Sequence, residues 1–126
     1  METRRAVVAI SSQLMDGVAI TEAARRLGIS LTLTSPEHAL EALGRESPAL
    51  VVLDLAETQA LQLLEQGELD AFRTIGYYPH VDRALRERAL EAGASRVVPR
   101  SAFFGRLHEW LTEAGGARLP EAPGGC

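Results

Sequence analysis

The chain has 126 residues, a length that suits one domain able to bury a core without a disulfide or metal staple. Hydrophobic residues make up 46% of it, too many for a disordered chain, and a net charge of −4 leaves no electrostatic footprint for nucleic acid. The only cysteine is Cys126, so no internal disulfide forms; no Cys/His spacing points to a metal, and no apolar run is long enough for a membrane span. The expectation is a soluble cytoplasmic protein without a cofactor, acting on a protein partner.

In chain order, Arg5 to Ile10 reads as a short buried strand. Ser11 and Ser12 follow, and either hydroxyl can cap the next helix by accepting from a free backbone N–H. Leu14, Val18, Ala23 or Ala24, and Leu27 mark one face of that helix. Gly28 ends it as a left-handed C′ glycine. Ile29 to Thr34 alternates apolar and hydroxyl residues, the pattern of a half-buried strand. Ser35-Pro36 is an N-cap followed by proline in the first helical turn, and the helix presents Ala39, Leu40 and Leu43.

Leu50 to Leu53 is an unbroken apolar run ending on one carboxylate, Asp54. Such a run suits a strand buried on both faces of a parallel sheet. In open α/β sheets, sites collect at the carboxyl ends of strands, which is where Asp54 falls. Thr58 to Gly67 is a short helix, Ala71 to Tyr77 a fourth strand, and Asp82 the N-cap of a helix reaching Gly93. Ser95 to Val98 is a fifth strand. Ser101 caps a last helix through Phe104, Leu107, Leu111 and Ala114. Strand and helix alternate five times, which predicts a doubly wound α/β domain with a parallel sheet and helices on both faces. The domain spans residues 1–114, and the Gly- and Pro-rich stretch 115–126 reads as a tail.

With V-V-L-D-L ending at Asp54 and A-L-E-A-G-A-S-R-V-V-P-R-S further on, the chain resembles a response-regulator receiver domain of two-component signalling. The resemblance implies the flavodoxin-like fold with strand order 2-1-3-4-5, and Asp54 at the phosphoacceptor position. The family's magnesium-binding acidic pair falls on Ser11 and Ser12, its phosphoryl-contacting Thr or Ser on Tyr78, and its lysine on Arg100. Magnesium prefers hard anionic oxygens, so two hydroxyls make a weak site. Arginine is a rigid fork that prefers a bidentate carboxylate, so Arg100 is expected to grip Asp54, and Asp54→Asn to strand it.

The expected role is therefore a degenerate, pseudo-receiver-like regulatory module that is not phosphorylated and is not an enzyme. It would act through a protein partner or as a homodimer, without nucleic acid or membrane. One alternative is a working receiver phosphorylated at Asp54. Another is a small enzyme or ligand-binding protein using Asp54, Tyr78, His80 and Arg100, with His80 as a ligand contact. The interaction face is expected on the fourth helix, fifth strand and last helix, through Arg83, Arg86, Arg96, Phe103 and Trp110.

Overall fold

The computed structural model describes residues 6–79 and 82–116. His80 lies outside them, as does the tail from residue 117 to Cys126. Five parallel strands form one sheet: β1 (Ala6–Ile10), β2 (Ser30–Thr34), β3 (Leu50–Asp54), β4 (Thr74–Tyr78) and β5 (Arg96–Pro99). Their order is β2-β1-β3-β4-β5, which is the flavodoxin-like arrangement. The helices are α1 (Leu14–Leu27), α2 (Ala39–Glu46), α3 (Thr58–Glu65), α4 (Arg83–Glu91), α5 (Arg100–Gly105) and α6 (Leu107–Gly116). A 3-10 turn, Pro36–His38, precedes α2.

β3 is the hub, and all five of its residues are buried. Its alternation feeds two cores. Val51 and Leu53 pack with Ala42, Leu43, Leu61 and Leu64 on the α2–α3–α4 side. Leu50 and Val52 pack with Ile20, Ala24, Phe103, Trp110 and Leu111 on the α1–α5–α6 side. Each fully buried Leu or Val contributes roughly 1.5–3 kcal/mol, so this strand anchors both layers.

Several local signals hold. Gly28 ends α1 at φ 71°, with its N–H bonded to the Arg25 carbonyl. Asp82 caps α4 by accepting the Leu85 N–H at 3.1 Å. Three expectations are corrected. First, α1 does not bury Leu14 and Val18, which are 77% and 53% exposed; it buries Asp16, Gly17, Ile20, Ala23 and Ala24. Small residues let α1 close on the sheet: a Cβ at Gly17 would lie 2.5 Å from Leu33 Cδ2. Second, the last helix is two. Gly105 and Arg106 form a break, where Arg106 leaves helical geometry (φ −127°, ψ 32°), and the weak helix propensity of glycine favours that point. Ser101 is no cap but an exposed residue within α5. Third, α6 runs to Gly116, two residues into the stretch expected as tail.

Candidate functional site

The strand ends build the site. In the parallel register Ile10 lies beside Leu53, Asp54 beside Tyr77, and Tyr77 beside Val98. Alternation puts Asp54 on the same face of the sheet as Leu50 and Val52, the α1–α5–α6 side. Asp54 is buried, at 3% exposure. One oxygen accepts the Ala56 N–H at 3.1 Å and the other accepts the Ser11 hydroxyl at 3.3 Å. Both donors are neutral. Burial pushes the Asp54 carboxyl above its ordinary range, and the negative charges of Glu57 and Asp16 add to that rise against the Ala56 amide.

Ser11 also accepts the Gln13 N–H at 3.1 Å, so it orders the entry to α1 while it touches Asp54. Ser12 turns the other way. Its N–H and hydroxyl both donate to the Glu57 carboxylate, which ties the β1–α1 loop to the β3–α3 loop.

The strongest polar cluster is centred on a residue that sequence reasoning passed over, Asp16. This carboxylate sits in the first turn of α1 at 2% exposure. Arg100 grips it with both terminal nitrogens, Nη1 reaching Oδ2 at 2.7 Å and Nη2 reaching Oδ1. The Tyr77 hydroxyl donates to Oδ2 at 2.9 Å. The Arg100 guanidinium also lies 4.8 Å from the Phe104 ring centre and 5.7 Å from that of Tyr77. Arg100 holds the Asp16 carboxyl below its ordinary range, against the opposing effect of burial. Asp16 in turn raises the Arg100 guanidinium, and burial raises the Tyr77 phenol.

The expected grip of Arg100 on Asp54 is thus corrected: its partner is Asp16. β5 ends at Pro99, level with Tyr78 and one row past Asp54, so Arg100 opens α5 beyond the row that holds Asp54. From there its guanidinium meets α1. An Asp54 substitution therefore does not strand Arg100. Tyr78 is also not beside Asp54. It points to the other face of the sheet, packing with Ile10, Leu53 and Leu55, and the tyrosine level with Asp54 is Tyr77.

On the expected interaction face, Arg83 is exposed and Arg86 and Arg96 are half-buried. Phe103 and Trp110 are corrected from patch to core, at 0% and 3% exposure. Phe103 stacks on Tyr77 with ring centres 4.8 Å apart, which draws it inward.

A signal for Asp16 was present in the sequence. Asp16, Ile20, Ala23 and Leu27 form a helical stripe, and an acid on an apolar stripe implies a buried partner. Leu14 and Val18 masked it by offering a more hydrophobic face.

The doubly wound parallel sheet with a strand-end carboxylate defines a flavodoxin-like domain. Its solved likenesses are response regulators and their receiver domains, so the chain has the receiver fold. The match to a response regulator from Thermotoga maritima has a TM-score of 0.74 at 18% identity, over 91% of this chain and 100% of that one. A response regulator from Hahella chejuensis matches with a TM-score of 0.76 at 18% identity, over 93% and 99%. The signal receiver domain of the putative response regulator NarL from Mycobacterium tuberculosis matches with a TM-score of 0.74 at 16% identity, over 93% and 100%. No protein-family model and no curated protein matches the chain.

Proposed function

We propose that this domain is a signalling or regulatory module of receiver fold that does not run phosphotransfer at Asp54 and works by binding a protein partner. One observation carries the reading: Arg100, which opens α5 at this end of the sheet, is committed to Asp16, and among the described residues Asp54 accepts only from the Ser11 hydroxyl and the Ala56 amide. Phosphoryl transfer to a carboxylate needs positive charge placed on the moving group. Arg100 is not free to supply it while both its terminal nitrogens hold Asp16.

The receiver fold implies a magnesium ion at this strand end, and the residues present do not fit one. Magnesium takes near-octahedral hard oxygen ligands, usually carboxylates and waters. The two positions after β1 are hydroxyls. Glu57, the nearest added acid, has both oxygens occupied by Ser12. No step is routed through a metal.

A protein partner suits the fold. A receiver domain of similar fold, that of Ssk1 from Saccharomyces cerevisiae, is seen with the histidine phosphotransfer signalling protein Ypd1; it matches at 14% identity with a TM-score of 0.71, over 90% of each chain. The competing reading is a working acceptor, favoured by the position of Asp54 at the end of the central strand. Incubation with acetyl phosphate and magnesium, followed by intact-protein mass, separates the two: an unchanged mass supports the proposal.

A further inference from the structure

The two edges of the sheet differ. β5, the outermost strand on one side, is short and carries Arg96 and Pro99, features that deter a strand from pairing with another chain. β2, the outermost strand on the other side, reads Ser-Leu-Thr-Leu-Thr from Ser30 to Thr34, with neither charge nor proline. The Thr34 carbonyl accepts the Ser11 N–H at 3.0 Å, so it turns inward. Alternation then turns the backbone N–H and carbonyl of Leu31 and Leu33 outward, where no further strand meets them among the described residues. The α1 side of this edge is apolar as well. Leu33 is 45% exposed and lies against Gly17. Asp16, one residue earlier, points to Arg100, so Leu14, Val18 and Thr21 fall on the opposite flank of α1, beside the β2 edge, and all three are exposed.

We propose that a second copy of this chain pairs with β2, antiparallel and about a twofold axis through Thr32, so that the two sheets run on as one. The proposal goes beyond the protein-binding reading above and does not rest on it. The edge is complementary to itself in that register. Leu31 of one copy faces Leu33 of the other, and each such pair exchanges both of its outward main-chain hydrogen bonds. Thr32 meets its own counterpart and Ser30 meets Thr34, hydroxyl pairs that suit neighbouring strands. Leu14 and Val18 gain an apolar cover that one chain alone does not give them. Charge fits too. Exposed Arg25 and Arg26 close α1 just before β2 begins, and exposed Glu37 follows its end. Within the chain both arginines pair only loosely with Glu22, at 3.4 and 3.8 Å on the surface. Antiparallel pairing sets the basic end of each copy against the acidic end of the other. A strand from another protein would use the same backbone groups, but nothing about it would match leucine to leucine and arginine to Glu37.

The test uses the full chain. Sedimentation across a concentration series should show a reversible dimer. Leu33→Lys and Val18→Glu should each weaken it by at least about tenfold, because each puts an unpaired charge into the interface. Melting curves confirm that the variants fold; if Leu33→Lys does not, Val18→Glu on α1 decides alone. The register has its own readout. Cys126 is the only cysteine, so Cys126→Ser gives a background without thiols. In that background Thr32→Cys should form a disulfide-linked dimer under mild oxidation, since residues facing each other in a non-hydrogen-bonded antiparallel pair lie about 4.5 Å apart at Cα, within disulfide reach. Ser30→Cys, set off the axis, should stay unlinked. A monomer at every concentration would overturn the proposal and leave the edge to a strand of another protein. A dimer that both charge substitutions leave intact would also overturn it, as would linking at Ser30→Cys as readily as at Thr32→Cys.

Discussion

Asp16→Ala should be among the most damaging single substitutions in the domain, although Asp16 was not an evident site residue. Three charge-assisted or buried hydrogen bonds converge on this carboxylate, two from Arg100 and one from Tyr77. Their losses are unequal. Arg100 has 51% of its side chain exposed, so water recovers much of what the pair gives, and that part is worth at most about 1 kcal/mol. Tyr77 is 1% exposed, and taking away its Asp16 acceptor costs about 1–3 kcal/mol, less whatever the neighbouring Ser11 hydroxyl accepts in its place. The sum is about 1–4 kcal/mol, or a fall in melting temperature on the order of 5–15 °C for a domain of this size. Thermal unfolding by circular dichroism reads it. Tyr77→Phe in the Asp16→Ala background should recover part of the loss, because it removes the stranded hydroxyl. A double cycle with Arg100→Ala should give a coupling of about 1 kcal/mol, well below the full cost. If Asp16→Ala costs under about 0.5 kcal/mol, the value of an ordinary surface site, the cluster is not the structural bolt described here.

Other outcomes follow from the same geometry. Burial raises the Asp54 carboxyl, so its ionised form disfavours the fold: the contribution is fully present below the unfolded value near 3.9 and is lost as pH rises through the raised folded value. Asp54→Asn should therefore melt no lower than wild type at pH 7, and any gain should vanish near pH 3; a loss of several kcal/mol at pH 7 would contradict the site as described. Asp16 has the opposite sign: its stabilisation is present above about 3.9 and disappears as pH falls through its depressed folded value. The acid limb of an unfolding titration should accordingly flatten in Asp16→Ala. Phe103→Ala should cost about 3–5 kcal/mol as a core truncation, whereas Arg83→Ala should stay within about 0.5 kcal/mol, both by chemical denaturation.

What the sequence revealed follows from how local each signal was. The apolar run from Leu50 to Leu53 and the Gly28 and Asp82 caps depend on neighbouring residues, and the elements they predict are present. The strand order came through the resemblance carried by V-V-L-D-L and the Gly93-Ala94 turn. The site was less legible because its contacts are long-range. Arg100 and Asp16 are far apart in the chain, and residue types alone paired Arg100 with the nearest expected acid, Asp54. The face of Tyr77 against Tyr78 turns on a one-residue register, which decides which tyrosine stands beside Asp54. Phe103 and Trp110 looked peripheral on a single long helix; the break at Gly105–Arg106 turns both into the core.

The central claim is that Asp54 does not accept a phosphoryl group, and intact-protein mass after incubation with acetyl phosphate and magnesium tests it most directly. The account predicts an unchanged mass for wild type and for Asp54→Asn alike. A gain of one phosphoryl group in the wild type that is absent from Asp54→Asn would contradict it and make Asp54 a working acceptor.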